Sequence, residues 1–419
     1  MASKPRVVVL GGGFAGLESA FYLRHQLQNR VDITLISENN YFLFKPNIIY
    51  IPFGEDPEKC SIDLLEPARR KHIDFIRGRA ERIDPVAGLV HLPHTEIAFD
   101  YLIVATGAAV RPEEVPGLAE NAVAIWTPDD MLQLRGRYAQ LVEAALAGHR
   151  QRLLFMLPPN NRCVGPLYEL ALMTDTWLRE KGVRDSVEIT WSTFEKRYVQ
   201  AYGPRLDVAV HEEFEARGII GHRGYPVESV EPGQVNFAGG HKLAFDLLVA
   251  VPPHVAANHF PSLPADERGF IKVDPYSRRV EGFERIFAVG DATDFPLKQA
   301  FLALLQADAA ADHIVAAVLG REPVIDFHPM NLYVMEQFDK GLFAQAPLRY
   351  TADAANTVTV DLEDPDHYKV GVSPLWRAGK KFVGVYLPWR FGHGEPFNAG
   401  LAGGAMQLGL KVMTRMMSR

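Results

Sequence analysis

The sequence contains two cysteines in 419 residues, Cys60 and Cys163. That excludes a disulfide framework, and without a CxxC pair or a Cys/His spacing suited to zinc no metal site is expected. There is no long uninterrupted apolar run. The best candidate, residues 300 to 319, is broken by Gln306, Asp308, Asp312 and His313 and reads as a buried amphipathic helix, not a membrane span. The first residues, Met1 to Arg6, lack the apolar core and small-residue cleavage site of a signal peptide, so synthesis and residence in the cytoplasm are expected. Positive charge is not in excess either: 44 Lys and Arg stand against 51 Asp and Glu, so nucleic acid is not an expected partner. With 47% hydrophobic and 23% charged residues the chain is neither mainly disordered nor polytopic. Its length calls for two or three domains.

The strongest signal lies at the start. The apolar run Arg6 to Leu10 leads straight into Gly11-Gly12-Gly13-Phe14-Ala15-Gly16 and then a helical stretch to about Leu27. This is GxGxxG in strand, turn and helix context, where glycines allow the tight turn and helix N–H groups meet a diphosphate. The second strand, Asp32 to Ile36, is followed by Ser37 and Glu38, either of which can hold the adenosine ribose. A third buried strand, Phe99 to Val104, runs into Ala105-Thr106-Gly107. Far downstream, Gly282 to Val289 ends in Gly290-Asp291, ahead of a helix whose first turns are read to include Pro296, Lys298 and Gln299. Such a carboxylate suits the ribityl chain of a flavin, and such a helix end its pyrimidine ring. The ordered set of three separated pieces signals FAD.

Between these pieces lies a second α/β unit, with strands at 152–157, 187–191 and 245–251 and a helix at 165–181. Where a nicotinamide dinucleotide would need another GxGxxG, the chain reads Pro158-Pro159-Asn160-Asn161-Arg162-Cys163-Val164-Gly165-Pro166. Two prolines and no glycine before Gly165 disfavour that phosphate turn, and with it NAD(P)H as the electron donor.

In Asn39 to Pro46, in the FAD pieces and in Cys163-Val164-Gly165-Pro166-Leu167-Tyr168-Glu169, the chain resembles the sulfide:quinone oxidoreductase and flavocytochrome c sulfide dehydrogenase group, sister to the type II NADH dehydrogenases. The resemblance covers nearly the whole chain. It implies an α/β fold of two tandem Rossmann-like domains plus a C-terminal membrane-associating region that admits quinone. The expected division is 1–112 and 266–325 for FAD, 113–265 for the second unit with its degenerate NAD site, and 326–419 for the quinone and membrane region. By the same resemblance Cys163 lies close to the flavin and takes part in sulfur chemistry, Glu169 relays protons, and Lys298 stands beside the ring system. FAD contacts are expected from Gly11, Gly13, Phe14, Ala15, Gly16, Ser37, Glu38, Lys45, Pro46, Ala105, Thr106, Gly107, Gly290, Asp291 and Lys298. Lys381, or equally Lys380, matches the lysine before the quinone segment. No cysteine near Phe44 to Ile48 matches the covalent flavin link, so FAD is expected to be noncovalent.

Two departures bear on chemistry. The group's sulfide-oxidising members carry cysteines where this chain has Trp126 and the stretch Lys340 to Pro347, so Cys163 lacks its usual partner. Cys60, ahead of a helix that Ser61 is read to cap, is the only substitute. Arg162 and the helix start after Cys163 are expected to favour the thiolate. For quinone, Phe343, Trp389 and Phe391 are candidate walls, among Phe338, Tyr386 and Phe397, with Gly392, Gly394 and Pro396 read as breakers that make a loop or short helices. His393 is a candidate proton shuttle. Beyond them Leu401, Ala405, Leu408, Val412 and Met416 face one way and Lys411, Arg415 and Arg419 another. That is an amphipathic helix suited to a lipid surface; docking on the core or on a twin subunit, as in a homo-oligomer, is the alternative. The expected function is transfer of two electrons from a small sulfur species through flavin to quinone by a peripheral membrane protein. A type II NADH:quinone reductase and a flavin-binding sensor without sulfide turnover are the rivals.

Overall fold

The computed structural model describes residues 4–353, 357–363, 367–398 and 400. The apolar run at the start forms the strand Arg6–Leu10 at the centre of a five-stranded sheet, flanked by Asp32–Ser37 and Tyr101–Val104, with Asp74–Arg77 and Ile286–Ala288 at the edges. All pairings are parallel. Strands of Val, Ile and Leu without alternation require cover on both faces. One face is covered by the helices Phe14–Leu27 and Ala300–Leu319, packed on each other. The sheet thus draws one strand from near residue 286, and the chain between forms other units.

The second sheet is also five-stranded and parallel, in the order Val123–Ala124, Leu247–Ala250, Gln151–Leu157, Val187–Thr193, Ile220–Arg223. The helix Gly165–Glu180 follows its central strand, and Pro128–Leu146 enters through a capping box in which Thr127 and Asp130 satisfy each other's backbone N–H groups. The chain crosses between the two units as an antiparallel pair, Ala108–Val110 with His254–Ala256. A third unit is an antiparallel sheet of Met330–Glu336, Gly341–Tyr350, Val358–Val360 and Lys369–Ser373, followed by the helix Pro374–Gly392.

Register decides where the site falls. Leu10 pairs with both Ile36 and Val104, so the strands end level and their following loops, at Gly11, Ser37, Ala105 and Gly290, gather at one end. Ligands in open α/β sheets bind outside those carboxyl ends.

Three readings are corrected. The downstream helix begins at Ala300, so Pro296 and Lys298 lie before it and Gln299 is its N-cap residue. Ser61 opens the short strand Ser61–Asp63; the helix Leu65–Arg70 takes its first-turn bonds from Asp63, whose carboxylate accepts from the Leu65 and Glu66 N–H groups. The aromatic stretch around 382 to 391 is one continuous helix, Pro374–Gly392, despite Pro388 inside it. The helix Ala300–Leu319, apolar enough by length to cross a membrane, is mostly buried inside the protein, as its broken pattern implies. The amphipathic stretch Leu401 to Arg419 lies outside the described residues.

Candidate active site

The ends of both parallel sheets and the third unit enclose a cavity of about 1830 Å³. That exceeds the few hundred to about 1,000 Å³ of an ordinary small-ligand pocket and leaves room for a dinucleotide and more.

At its first end lies the glycine turn. Gly11 has φ +113, a conformation that favours glycine, and a Cβ there would strike the Ala105 carbonyl; one on Gly16 would strike the Gly11 carbonyl. A Cβ on Gly13 would meet nothing, so backbone at the mouth of the turn is open to a ligand. Gly13 caps the helix Phe14–Leu27 without a side-chain bond, leaving first-turn N–H groups free for an anion. Gly11, Gly13, Phe14, Ala15, Ser37 and Glu38 line this end, whereas Gly16 packs behind it.

In the middle stand Lys45, Pro46, Ala105, Thr106, Gly107, Gly290, Asp291 and Lys298. Gln299, whose side chain does not cap its own helix, lines the same stretch. Thr106 Oγ1 and Gln299 Oε1 are buried with no hydrogen-bond partner, and both residues face the cavity. Two uncapped helix starts, the half-buried Asp291 carboxylate and these unpaired oxygens fit an FAD laid from the glycine turn to Asp291. The cations here are held by unusual means. Lys298 Nζ donates to the Thr293 and Phe295 carbonyls at 2.5 and 3.0 Å and sits 3.9 Å over the Phe270 ring. Burial, with Arg162 nearby, pulls its ammonium down to about 7. Lys45 Nζ lies 3.3 Å over the indole of Trp126, and burial pulls it down to about 8 against the pull of Asp291 and Cys163.

Cys163 lines the cavity just ahead of the helix Gly165–Glu180. Asn161 Oδ1 accepts from its N–H at 2.9 Å, while Asn161 Nδ2 donates to the Val251 carbonyl at 2.9 Å. The expected thiolate is not what this setting favours. Burial pushes the Cys163 thiol up to about 12 and Asp291 adds to that, with Lys45 alone working the other way. Arg162 is turned from the thiol to Asp266 at 3.1 Å and to the Phe270 ring. Trp126 also lines the cavity and stands edge-on to the buried His254. Cys60 is a core residue packed near Ile48 and Ile51, is not among the lining residues, and burial pushes its thiol up to about 11.

The loop after the central strand of the second unit is not a glycine phosphate turn. Asn160 takes positive φ and Asn161 ties the loop down, and a Cβ on Gly165 would lie 2.9 Å from the Tyr333 ring, so that glycine makes room for protein.

At the far end Glu169 is buried and triply held: Tyr333 Oη donates at 2.7 Å, the Glu336 N–H donates at 2.9 Å, and Lys380 forms an ion pair. Burial raises its carboxyl above the ordinary range, opposed by Lys380. Of the two candidate lysines, Lys380 lines the cavity and Lys381 is exposed outside it. Phe343 lines the cavity, stacked on Trp376 with centroids 3.8 Å apart; Phe382, Tyr386 and Phe397 join them. Trp389 and Phe391 do not: Trp389 is 52% exposed, and Phe391 is buried between Phe21 and Phe42. The continuous helix turns Phe391 to the side opposite Phe382 and into the core, while Trp389, one turn beyond Tyr386 and 6.1 Å from its ring, stays on the exposed side. His393 Nδ1 is bonded to the Trp389 carbonyl at 2.8 Å, outside the cavity. Tyr333, Trp376 and Glu195, whose carboxyl burial raises to about 7, are lining residues that sequence reasoning missed.

Two α/β units with level strand ends, a glycine turn and a shared cavity define a protein of the two-dinucleotide-fold oxidoreductase class. The model of the pyridine nucleotide-disulphide oxidoreductase family matches residues 5–142. A sulfide-quinone reductase of Aquifex aeolicus is 32% identical over 241 residues, covering 55% of this chain and 53% of that protein. The chain thus spans about half the length of that relative in the alignment. The mitochondrial sulfide:quinone oxidoreductase of Dictyostelium discoideum is 24% identical, covering 75% and 71% of the two chains, and a type II NADH:quinone oxidoreductase of Mycobacterium tuberculosis is 25% identical, covering 71% and 68%. The crystal structure of the sulfide:quinone oxidoreductase from Aquifex aeolicus shares the fold, with a TM-score of 0.84 at 23% identity over 100% of this chain and 97% of that one.

Proposed function

We propose that this chain is an FAD-dependent oxidoreductase of sulfide:quinone reductase type, taking two electrons from sulfide or a related small sulfur species and passing them to membrane quinone. The observation that carries this reading is the placement of Cys163 in the same cavity as the glycine turn, Asp291 and Lys298, where the second unit offers no dinucleotide turn. FAD, when bound, supplies the two-electron redox chemistry.

The chain's own residues divide the remaining work. The open turn at Gly13 and the first helix N–H groups hold the diphosphate, Ser37 or Glu38 the ribose, and Asp291 the ribityl hydroxyls. Cys163 offers the reacting thiol, and Lys45 is the neighbouring cation that favours loss of its proton. Lys298, fixed by two carbonyls, would stand beside a bound ring system and supply positive charge there in its ammonium form. Glu169, accepting from Tyr333 Oη and the Glu336 N–H and paired with Lys380, is the group to relay protons at the aromatic end of the cavity, where Phe343 and Trp376 give the dry walls a quinone ring needs. The division into 1–112 with 266–325, 113–265 and 326–419 belongs to this reading, supported by the membership of the two sheets. Peripheral membrane attachment is supported by one exposed apolar stripe on the helix Pro374–Gly392, formed by Leu375, Phe382, Val385 and Trp389.

Rapid anaerobic mixing tests the donor. Flavin bleaching by sulfide and none by NADH is the expected result. Fast bleaching by NADH alone would assign the type II NADH dehydrogenase reading, and no bleaching by either would assign the sensor reading.

A further inference from the structure

The helices Phe14–Leu27 and Ala300–Leu319 bury two carboxylates against each other, Glu18 and Asp308. Each holds the end of the described C-terminal chain: the Phe397 N–H donates to Glu18 Oε2 at 2.7 Å, and Asn398 Nδ2 donates to Asp308 Oδ2 at 2.7 Å. The other two oxygens, Glu18 Oε1 and Asp308 Oδ1, are buried with no donor to meet them. Two carboxylates facing each other out of water cannot both ionise, so a proton bridges them. Phe397 and Asn398 also line the cavity, which makes the held segment part of its wall.

We propose that Glu18 and Asp308 form a proton-bridged clasp on Phe397 and Asn398, and that loss of the bridging proton loosens this wall of the cavity. Among the described residues, no side-chain cation is hydrogen-bonded or ion-paired to either carboxylate. Asp312 faces Asp308 along its own helix and is neutralised by Arg321, which lies 2.6 Å away; Tyr22, on the helix of Glu18, donates to Asp312. From the C-terminal side the buried Arg390 guanidinium donates to the Pro396 carbonyl, next to Phe397, and Glu395 is paired with Lys71. Burial raises both carboxyls, Asp308 to about 6 and Glu18 well above the ordinary carboxyl range. Groups raised in the folded state hold their protons longer than in the unlatched chain. Their contribution is therefore complete at acid pH and is lost as pH climbs through the raised values.

Hydrogen exchange of the Phe397 amide in the FAD-loaded protein, corrected for intrinsic chemistry, reads the clasp directly. Wild type is expected to lose about tenfold in protection from about pH 5 to about pH 9, the equivalent of one pKa unit. Glu18→Gln, whose amide donates to Asp308 without titrating, is expected to keep its protection across that range. Asp308→Asn should behave like it, and serves if the first variant folds poorly. Unchanged wild-type protection, or the same loss in either variant, would overturn the clasp.

Discussion

Asn161 fixes Cys163 through the cysteine's own backbone: the Cys163 N–H donates to Asn161 Oδ1 at 2.9 Å while Asn161 Nδ2 anchors to the Val251 carbonyl. The loop that would carry a phosphate turn in a dinucleotide site is closed by one carboxamide, and its thiol faces the cavity. Asn161→Ala leaves those buried groups without partners, and each one costs about 1–3 kcal/mol. The thermal midpoint of the variant should fall, and Cys163 should react differently with a thiol reagent. An unchanged midpoint would mean water replaces the carboxamide.

Cys163→Ser tests the thiol itself. FAD occupancy, read from the absorbance spectrum, should match wild type because Cys163 is not part of the glycine cradle, while sulfide-driven bleaching should be lost. Undiminished bleaching would remove Cys163 from the chemistry.

Gly16→Ala tests the cradle. The added methyl group runs into the Gly11 carbonyl, which belongs to a turn with no slack. Overpacking of this kind costs about 1–3 kcal/mol. The purified variant should carry much less flavin per chain than wild type; full flavin content would show that the turn can shift.

Lys298 carries a pH signature. Its folded value near 7 lies below the ordinary 10.5, so between these values the unfolded chain binds more protons and this group makes stability rise with pH. Lys298→Met should therefore gain most over wild-type apoprotein near pH 7, the difference shrinking by about 1.4 kcal/mol per pH unit toward pH 10. Denaturant melts at a series of pH values measure that slope. A pH-independent difference would mean Lys298 is not held in a dry site.

How much of this was legible depended on whether a local pattern had one meaning. Arg6 to Gly16 could be read because strand, glycines and helix are contiguous, and the apolar helix at 300–319 because its polar interruptions mark a buried face. The roles around Cys163 could not. Arg162 is adjacent in sequence, yet Asp266 takes it away, and the cation that acts on the thiol, Lys45, comes from the first unit. Tyr333 and Trp376 carry no motif; they reach the site only because the third unit folds back on the helix that starts at Gly165. The loop or short helices expected around Trp389 and Phe391 are one continuous helix that ends at Gly392, where the first of the breakers stands, and its turn carries Phe391 into the core.

The most direct test of the account is an anaerobic titration of the FAD-loaded protein, first with sulfide and then with a short-chain quinone. Bleaching complete near one sulfide per flavin, followed by full return of the flavin absorbance on adding quinone, is the expected result. A flavin that sulfide leaves oxidised, under conditions where NADH reduces it and quinone restores it, would contradict the account.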